Sequence, residues 1–161
     1  MSPFYIGIDV TVRSNVTYLM KPDDSKHSNF SILNSRNGSR QFVKRILSAI
    51  ILESLTNVVI GLEATSIYGD NLVYFLRENG SLAQYNKKIH VLNPKHVNKS
   101  KLSYNDPPKN DYVDTFVIAH FGRINKKVYL DYYHYASLKN LTRARFFTVQ
   151  NFTREKQRFI N

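Results

Sequence analysis

Two short apolar segments that each run directly into a carboxylate constrain this chain most. Residues 4–9 read FYIGID and residues 57–63 read NVVIGLE, so the segments end in Asp9 and Glu63. Continuous apolar runs of this length are typical of buried strands. A carboxylate that closes a buried strand is costly to desolvate unless it is paired or binds a cation. The sequence therefore predicts a polar site at the ends of two strands.

A third acidic segment follows the Pro107-Pro108 break. Asp111 and Asp114 lie three residues apart at the start of an amphipathic run that ends near Gly122. On a helix this spacing places both carboxylates on one face, where they also interact favourably with the helix dipole. Alone, such a pair is an ordinary helix start. Together with Asp9 and Glu63 it indicates a site for hard cations that prefer oxygen ligands.

The order of elements predicts an α/β fold with a mixed five-stranded sheet. Periodicity and turn residues place an antiparallel meander over 4–10, 15–21 and 28–34, and further strands over 57–63 and 88–92. Helices are predicted from Asn37 to about residue 51, over 68–78 and from about residue 109. The first strand is the most continuously apolar, so we expect it to be central. Helices between the later strands supply the crossovers that parallel pairing requires.

Two further segments are less regular. We expect residues 95–108 to form a basic, polar loop that is mobile without nucleic acid, and residues 128–135 are ambiguous between a strand and an extended connector. Residues 136–160 are predicted to be helical, with a ragged apolar stripe that either packs on the domain or contacts a partner helix. We therefore expect one domain over 1–125 and a connector with a basic helical extension over 126–161.

The chain is strongly basic, and the charge is localised. It has 23 Lys and Arg residues against 12 Asp and Glu residues, a formal net charge of +11. Residues 85–110 and 134–161 each carry six cations and one acid, so together they account for 10 of the 11 net charges. A polyanion is the partner class that this composition favours, although basic patches also serve solubility. The candidate nucleic-acid ligands are Lys87, Lys88, Lys95, Lys99, Lys101, Lys109, Arg143 and Arg145.

Several classes of protein are excluded. The chain has no cysteine, which rules out disulfide frameworks and cysteine-based zinc sites. No uncharged apolar run approaches the roughly 18 residues of a membrane span. The amino terminus lacks the pattern of a signal peptide, so we expect a cytoplasmic protein.

Four motifs in register resemble the amino-terminal domain of a known family. Gly7-Ile8-Asp9-Val10, Gly61-Leu62-Glu63-Ala64-Thr65 with Tyr68, Val91-Leu92-Asn93-Pro94 and Lys109-x-Asp111-x-x-Asp114 are similar to motifs of the DEDD transposases of bacterial insertion sequences, the Piv/MooV or IS-one-ten family. The resemblance covers roughly the first 120 residues and extends more weakly to Arg143. Thr115 stands where the family usually has alanine.

This resemblance implies a RuvC-like domain of the RNase H superfamily and a metal-dependent DNA transposase or recombinase. Asp9, Glu63, Asp111 and Asp114 would be the catalytic, metal-binding acids of a mobile-element enzyme, with Mg²⁺ or Mn²⁺, two ions, as the cofactor. The partners implied are DNA, a structured guide RNA and, for the full-length protein, further copies of itself. Full-length members continue into a second domain that carries a serine, so we expect this chain alone to be an incomplete transposase.

Other interpretations stay open from the residues alone. The chain could be a nucleic-acid-binding module whose acids are vestigial, or a RuvC-like resolvase of Holliday junctions on the same fold. An actin-like sugar kinase or ATPase also opens with a strand ending Gly-Ile-Asp, but it needs a glycine-rich phosphate turn after the acid. Residues 11–14 read TVRS and provide none.

Overall fold

The computed structural model describes residues 3–63, 67–104, 110–124 and 136–160, and for residues 67, 111 and 136 the backbone only. The chain divides into two compact units, residues 1–127 and residues 128–161. The first unit contains the sheet and all the elements around it. In the second unit, the described residues form one long helix.

The first unit is built on a five-stranded mixed sheet, which confirms the predicted fold class. The strand order is β3-β2-β1-β4-β5, with β1 central as expected. β1 pairs antiparallel with β2, which pairs antiparallel with β3, whereas β1 and β4, and β4 and β5, are parallel. The strands are β1 Phe4–Val10, β2 Ser14–Met20, β3 Lys26–Leu33, β4 Asn57–Glu63 and β5 Asn86–Leu92.

The described part of the chain contains five α-helices, four in the first unit and one in the second. They are α1 Arg36–Leu52, α2 Asp70–Glu78, α3 Pro94–Lys101, α4 Asp111–Ile124 and α5 Ala136–Ile160. α1 begins after Ser35, whose side chain accepts a hydrogen bond from the Gly38 amide at 3.1 Å and so satisfies one donor of the first turn. Short 3-10 turns at Ile67–Gly69 and Gly80–Leu82 flank α2.

The two faces of the sheet are covered by different helices. Successive residues of a strand point to opposite faces, so Ile8 and Gly7 of β1 belong to different layers. Ile8 is level with Thr17 and Phe30 on the neighbouring strands, and the Phe30 ring packs on Phe42 of α1, with centroids 6.1 Å apart. The other face carries α4, whose Ala119 is buried in a cluster with Tyr5, Met20 and Val59 of the sheet.

The prediction of a loop over 95–108 is wrong for its first half. Residues 94–101 form α3, which begins at Asn93. The Asn93 side chain accepts a hydrogen bond from the Lys95 amide at 2.9 Å, and Pro94 occupies the first helical position, where its missing N–H costs nothing. Val97 is buried and anchors the helix. Asn-Pro therefore starts a helix here as well as ending a strand; residues 105–109 lie outside the described residues.

The second unit contains α5, in agreement with the predicted helix. Its large apolar side chains are exposed, among them Leu138, Leu141, Phe146, Phe152 and Phe159. Residues 128–135, which the sequence left ambiguous, lie outside the described residues. Within the described ranges, no helix is both long and apolar enough to cross a membrane.

An aromatic contact holds the segment after α3 against α4. The Tyr104 hydroxyl is hydrogen bonded to Nδ1 of His120, and both rings pack on Phe116 with centroid distances of 5.8 and 5.7 Å. Burial lowers the pKa of His120, and the neighbouring Arg123 guanidinium lowers it further, against a smaller opposing effect of Asp24. Arg123 is itself paired with Asp24.

The depressed pKa of His120 makes the stability of this unit dependent on pH. In the unfolded chain His120 takes up its proton near pH 6.5, whereas in the folded chain it does so at lower pH. The unfolded state therefore binds more protons between these values, and the free energy of unfolding falls as the pH drops below about 6.5. We expect His120→Gln, which retains an acceptor for Tyr104, to lose less stability between pH 7.5 and 5.5. Urea unfolding at both values measures this, and equal losses would contradict it.

Candidate metal centre

Two of the predicted acids lie side by side at the carboxyl ends of the neighbouring strands β1 and β4. In the parallel pairing of β1 with β4, Ile8 is opposite Leu62, and Asp9 and Glu63 are the next residues of each strand. Neighbouring strands are about 4.8 Å apart, so the two carboxylates leave the backbone close together. Both follow a glycine by two residues, and therefore project from the face that Gly7 and Gly61 also present. Both side chains are partly buried.

The glycines allow α4 to approach the sheet unusually closely. A Cβ on Gly7 would lie 2.0 Å from the carbonyl oxygen of Thr115 and 2.6 Å from the amide nitrogen of Ala119. A Cβ on Gly61 would lie 3.2 Å from Cγ2 of Ile118. The backbone of α4 thus rests directly on the centre of the sheet. Its first turn is thereby carried to the strand ends that hold Asp9 and Glu63.

The first turn of α4 carries the other two predicted acids. Asp114 is partly buried and forms an ion pair with Lys101 at the end of α3, a helix that packs against α4. Asp111 is the first residue of α4, and its side chain lies outside the described residues. The Thr115 that replaces the usual alanine is fully buried, and its hydroxyl donates to the Tyr112 carbonyl at 2.9 Å. The substitution is therefore accommodated within the helix.

The negative charges of two acids from other elements, Asp9 of β1 and Asp114 of α4, both act on Glu63 of β4. Burial raises the pKa of Glu63, and the negative charges of Asp9 and Asp114 raise it further. The Lys101 ammonium partly offsets this effect. A cluster of carboxylates that repel each other in this way is stabilised by cations.

The donors fit a hard divalent cation. Asp9, Glu63 and Asp114 offer only carboxylate oxygens, which Mg²⁺ and Mn²⁺ prefer. Among the described side chains, which do not include Asp111, no three His, Cys, Asp or Glu groups are close enough to enclose an ion. Metal binding would therefore draw the carboxylates together and compete with the ammonium of Lys101 for Asp114.

One of the predicted nucleic-acid ligands has a structural role instead. The Lys87 ammonium donates to the carbonyl oxygens of Leu76, Arg77 and Asn79, at 2.8, 2.8 and 3.2 Å. These carbonyls end α2, so Lys87 caps that helix with all three of its donors. Its ammonium therefore has no donor left for a phosphate group.

The other candidate cations fall into three groups. Lys88, Lys95 and Lys99 are exposed on β5 and α3, close along the chain to Lys101. Arg143 and Arg145 are exposed on α5, in the second unit. Lys109 lies outside the described residues.

Comparison with known proteins identifies the family. The sequence pattern of the DEDD transposases of the IS-one-ten type, a family described as Transposase, matches residues 6–161. The chain belongs to this transposase family. It is accordingly a catalytic domain of the DNA transposase and recombinase class, and the family is one of DNA-cleaving enzymes. No curated protein matches the sequence.

Solved structures agree with the fold of this transposase domain. RuvC from Thermus thermophilus, in complex with a Holliday junction substrate, matches with a TM-score of 0.50 and 10% identity, over 76% of this chain and 96% of that chain. A second structure of Thermus thermophilus RuvC matches with a TM-score of 0.50 and 11% identity, over 76% and 97%. At this level of identity the similarity establishes a RuvC-like fold.

Sequence reasoning missed the role of the glycines and the partner of Asp114. The signal for the glycines was present, since each strand reads Gly-x-acid, and a glycine within a buried strand often marks close approach of another backbone. Lys101 carried no such signal, because its ion pair depends on how α3 packs against α4.

Proposed function

We propose that Asp9, Glu63, Asp111 and Asp114 form a centre for two Mg²⁺ or Mn²⁺ ions at which this transposase domain cleaves phosphodiester bonds in DNA. The observation that carries the proposal is geometric: the β1–β4 register places Asp9 beside Glu63, and the contact of α4 with Gly7 brings the first turn of α4 to the same strand ends. Burial, and then the charges of Asp9 and Asp114, raise the pKa of Glu63, in agreement with this arrangement. When bound, two such ions stabilise the entering and leaving oxygens of the displacement.

The position of each residue suggests its role in this centre. Asp9, on the central strand, would help to hold both ions, and Glu63 and Asp114 would each help to hold one of them. Asp111 would ligate or orient a bound water molecule. The exposed lysines of β5 and α3 would contact the DNA backbone, since phosphate contacts supply position and salt-dependent affinity.

Titration calorimetry with Mn²⁺ tests the metal centre. We expect saturable binding to the metal-free chain, and cleavage of labelled DNA that requires Mg²⁺ or Mn²⁺ and stops when the metal is chelated. Binding of DNA without any metal uptake would instead support a nucleic-acid-binding module with vestigial acids. Linear and four-way branched substrates should be compared, because selective cleavage of the branched one would favour a resolvase.

Lys101→Met is expected to increase the affinity for Mn²⁺. The variant removes an ammonium that pairs with Asp114 and whose positive charge repels a cation bound near Asp114 and Glu63. A partly exposed ion pair contributes up to about 1 kcal/mol, so the dissociation constant should fall by roughly threefold to fivefold.

The matched control for this experiment is Lys99→Met. Lys99 is exposed on the same helix, and its loss changes the net charge equally. Calorimetry of both variants distinguishes the effect of the Lys101–Asp114 ion pair from the effect of a lower net charge. Equal affinities in the two variants would show that Lys101 does not compete with the metal.

A further inference from the structure

The face of the sheet opposite the acids carries a basic groove. A cavity of about 710 Å³ lies between α1 and the edge strand β3, and Leu19, Phe30 and Leu52 supply apolar lining. Lys44 and Arg45 of α1 and His27 of β3 also line it. None of the described residues lining this groove is acidic. The distribution of charge along the sequence does not reveal this groove, because acidic residues in other segments balance the cations of α1.

The cations of α1 are close together and exposed to solvent, so they can contact an anionic partner. The helix contains Arg36, Arg40, Lys44 and Arg45 and no acidic residue. All four are exposed. The first three recur at intervals of four residues, so they form a line about 12 Å long on one side of the helix. A strand of duplex DNA presents a phosphate about every 3.4 Å of axis, so such a line spans several phosphates.

Arg45 is held ready to bind an anion. Its guanidinium lies over the Phe30 ring, 4.8 Å from the centroid. Stacking fixes the plane of the guanidinium, and its N–H donors, which lie in that plane, remain able to bind phosphate. Within the described ranges neither Lys44 nor Arg45 forms an ion pair. The carboxylate of Glu53, which lies 3.7 Å from His27, is already paired with Lys21 at 2.7 Å.

We propose that the groove between α1 and β3 binds the phosphodiester backbone of a nucleic-acid strand other than the strand held at the acids. The positive charge of the groove favours a polyanion, and the substrate of a DNA transposase domain is itself a polyanion. The amides of Asn29 and Gln41 and the hydroxyl of Ser48 line the same groove and supply neutral hydrogen-bonding groups. Because α1 and α4 cover opposite faces, one continuous strand at the acids would not fill this groove.

Binding in EDTA tests the proposal independently of the metal centre. The affinity for a labelled duplex should be measured by fluorescence anisotropy between about 50 and 200 mM salt. For Lys44→Gln/Arg45→Gln we expect weaker binding and a salt slope reduced by about one for each cation removed. Lys26→Gln/Arg77→Gln, which removes the same charge elsewhere, should retain the wild-type slope. Equal slopes in both double variants would overturn the proposal.

A cross-linking experiment locates the strand. The chain has no cysteine, so Ser48→Cys provides a single attachment point for a photoreactive group within the groove. We expect it to capture labelled nucleic acid in EDTA, and Ser81→Cys, at an exposed serine outside the groove, to capture much less. Thermal melting of each variant checks that the fold is intact. No capture at position 48, or capture suppressed by an acidic polypeptide but not by unlabelled DNA, would overturn the proposal and indicate a protein partner.

Discussion

Asp9→Asn is expected to abolish the stabilisation of this domain by Mn²⁺. A ligand at 100 times its dissociation constant stabilises the native state by about 2.7 kcal/mol, which for a domain of this size raises Tm by roughly 5–10 °C. Asp9 is the acid of the central strand and contributes to the raised pKa of Glu63, so it belongs to the proposed metal centre. In the variant we expect the shift to fall below about 1 °C. Thermal melts with and without Mn²⁺ measure the difference.

In Asp9→Asn, DNA cleavage should be lost together with metal binding. A metal ion contributes several kcal/mol of transition-state stabilisation, so Asp9→Asn should lose about a thousandfold in rate or more. Asp70→Asn is the matched control, because Asp70 is a first-turn acid of α2. Its Mn²⁺ shift and cleavage rate should equal those of the wild type. A wild-type Mn²⁺ shift in Asp9→Asn would contradict the proposed centre.

The metal-free stability of Asp9→Asn distinguishes loss of a ligand from loss of the fold. The variant removes one negative charge from a group of carboxylates that repel one another. Without metal we therefore expect Asp9→Asn to melt at or above the temperature of the wild type. A much lower melting temperature would show that Asp9 has a structural role.

Gly7→Ala is expected to be the most destabilising small substitution in the sheet. The added Cβ would meet backbone atoms of α4 at 2.0 and 2.6 Å, and a helix backbone cannot move aside as a flexible side chain can. Overpacking of this kind costs about 3 kcal/mol or more, which corresponds to a fall in Tm of roughly 6–12 °C. The displaced helix would also carry Asp114 away from Asp9 and Glu63, so the affinity for Mn²⁺ should fall as well.

Gly61→Ala is the matched comparison on the neighbouring strand. Its Cβ would approach Cγ2 and the carbonyl oxygen of Ile118 at 3.2 and 3.4 Å, and the side chain can adjust. Replacing glycine with alanine in a strand also recovers about 0.5–1 kcal/mol of conformational entropy. We expect a net change in stability below about 1 kcal/mol. Thermal or urea unfolding of both variants tests the difference, and equal losses would show that α4 is not held by contact with Gly7.

Much of the fold could be predicted because local patterns determine it. The apolar strands, the helix periodicity from Phe42 to Ile50 and the order of elements all depend on residues close together in the sequence. The error at α3 arose because Asn93-Pro94 serves two functions at once, ending β5 and capping a helix. The helix is anchored by the burial of Val97, a tertiary contact that the local sequence does not reveal.

The candidate site was predictable in its residue types but not in its geometry. The Gly-x-acid ending of two strands and the paired acids of α4 are written in the chain, since a carboxylate at a buried strand end requires a partner wherever it lies. Their placement depends on a contact between distant segments, because α4 rests on Gly7. The roles of two lysines also depend on packing: α3 brings Lys101 to Asp114, and Lys87 of β5 caps α2. Sequence thus determined which groups must be neutralised, and tertiary packing decided which neighbour does so, because the strength of an electrostatic contact depends on distance in space.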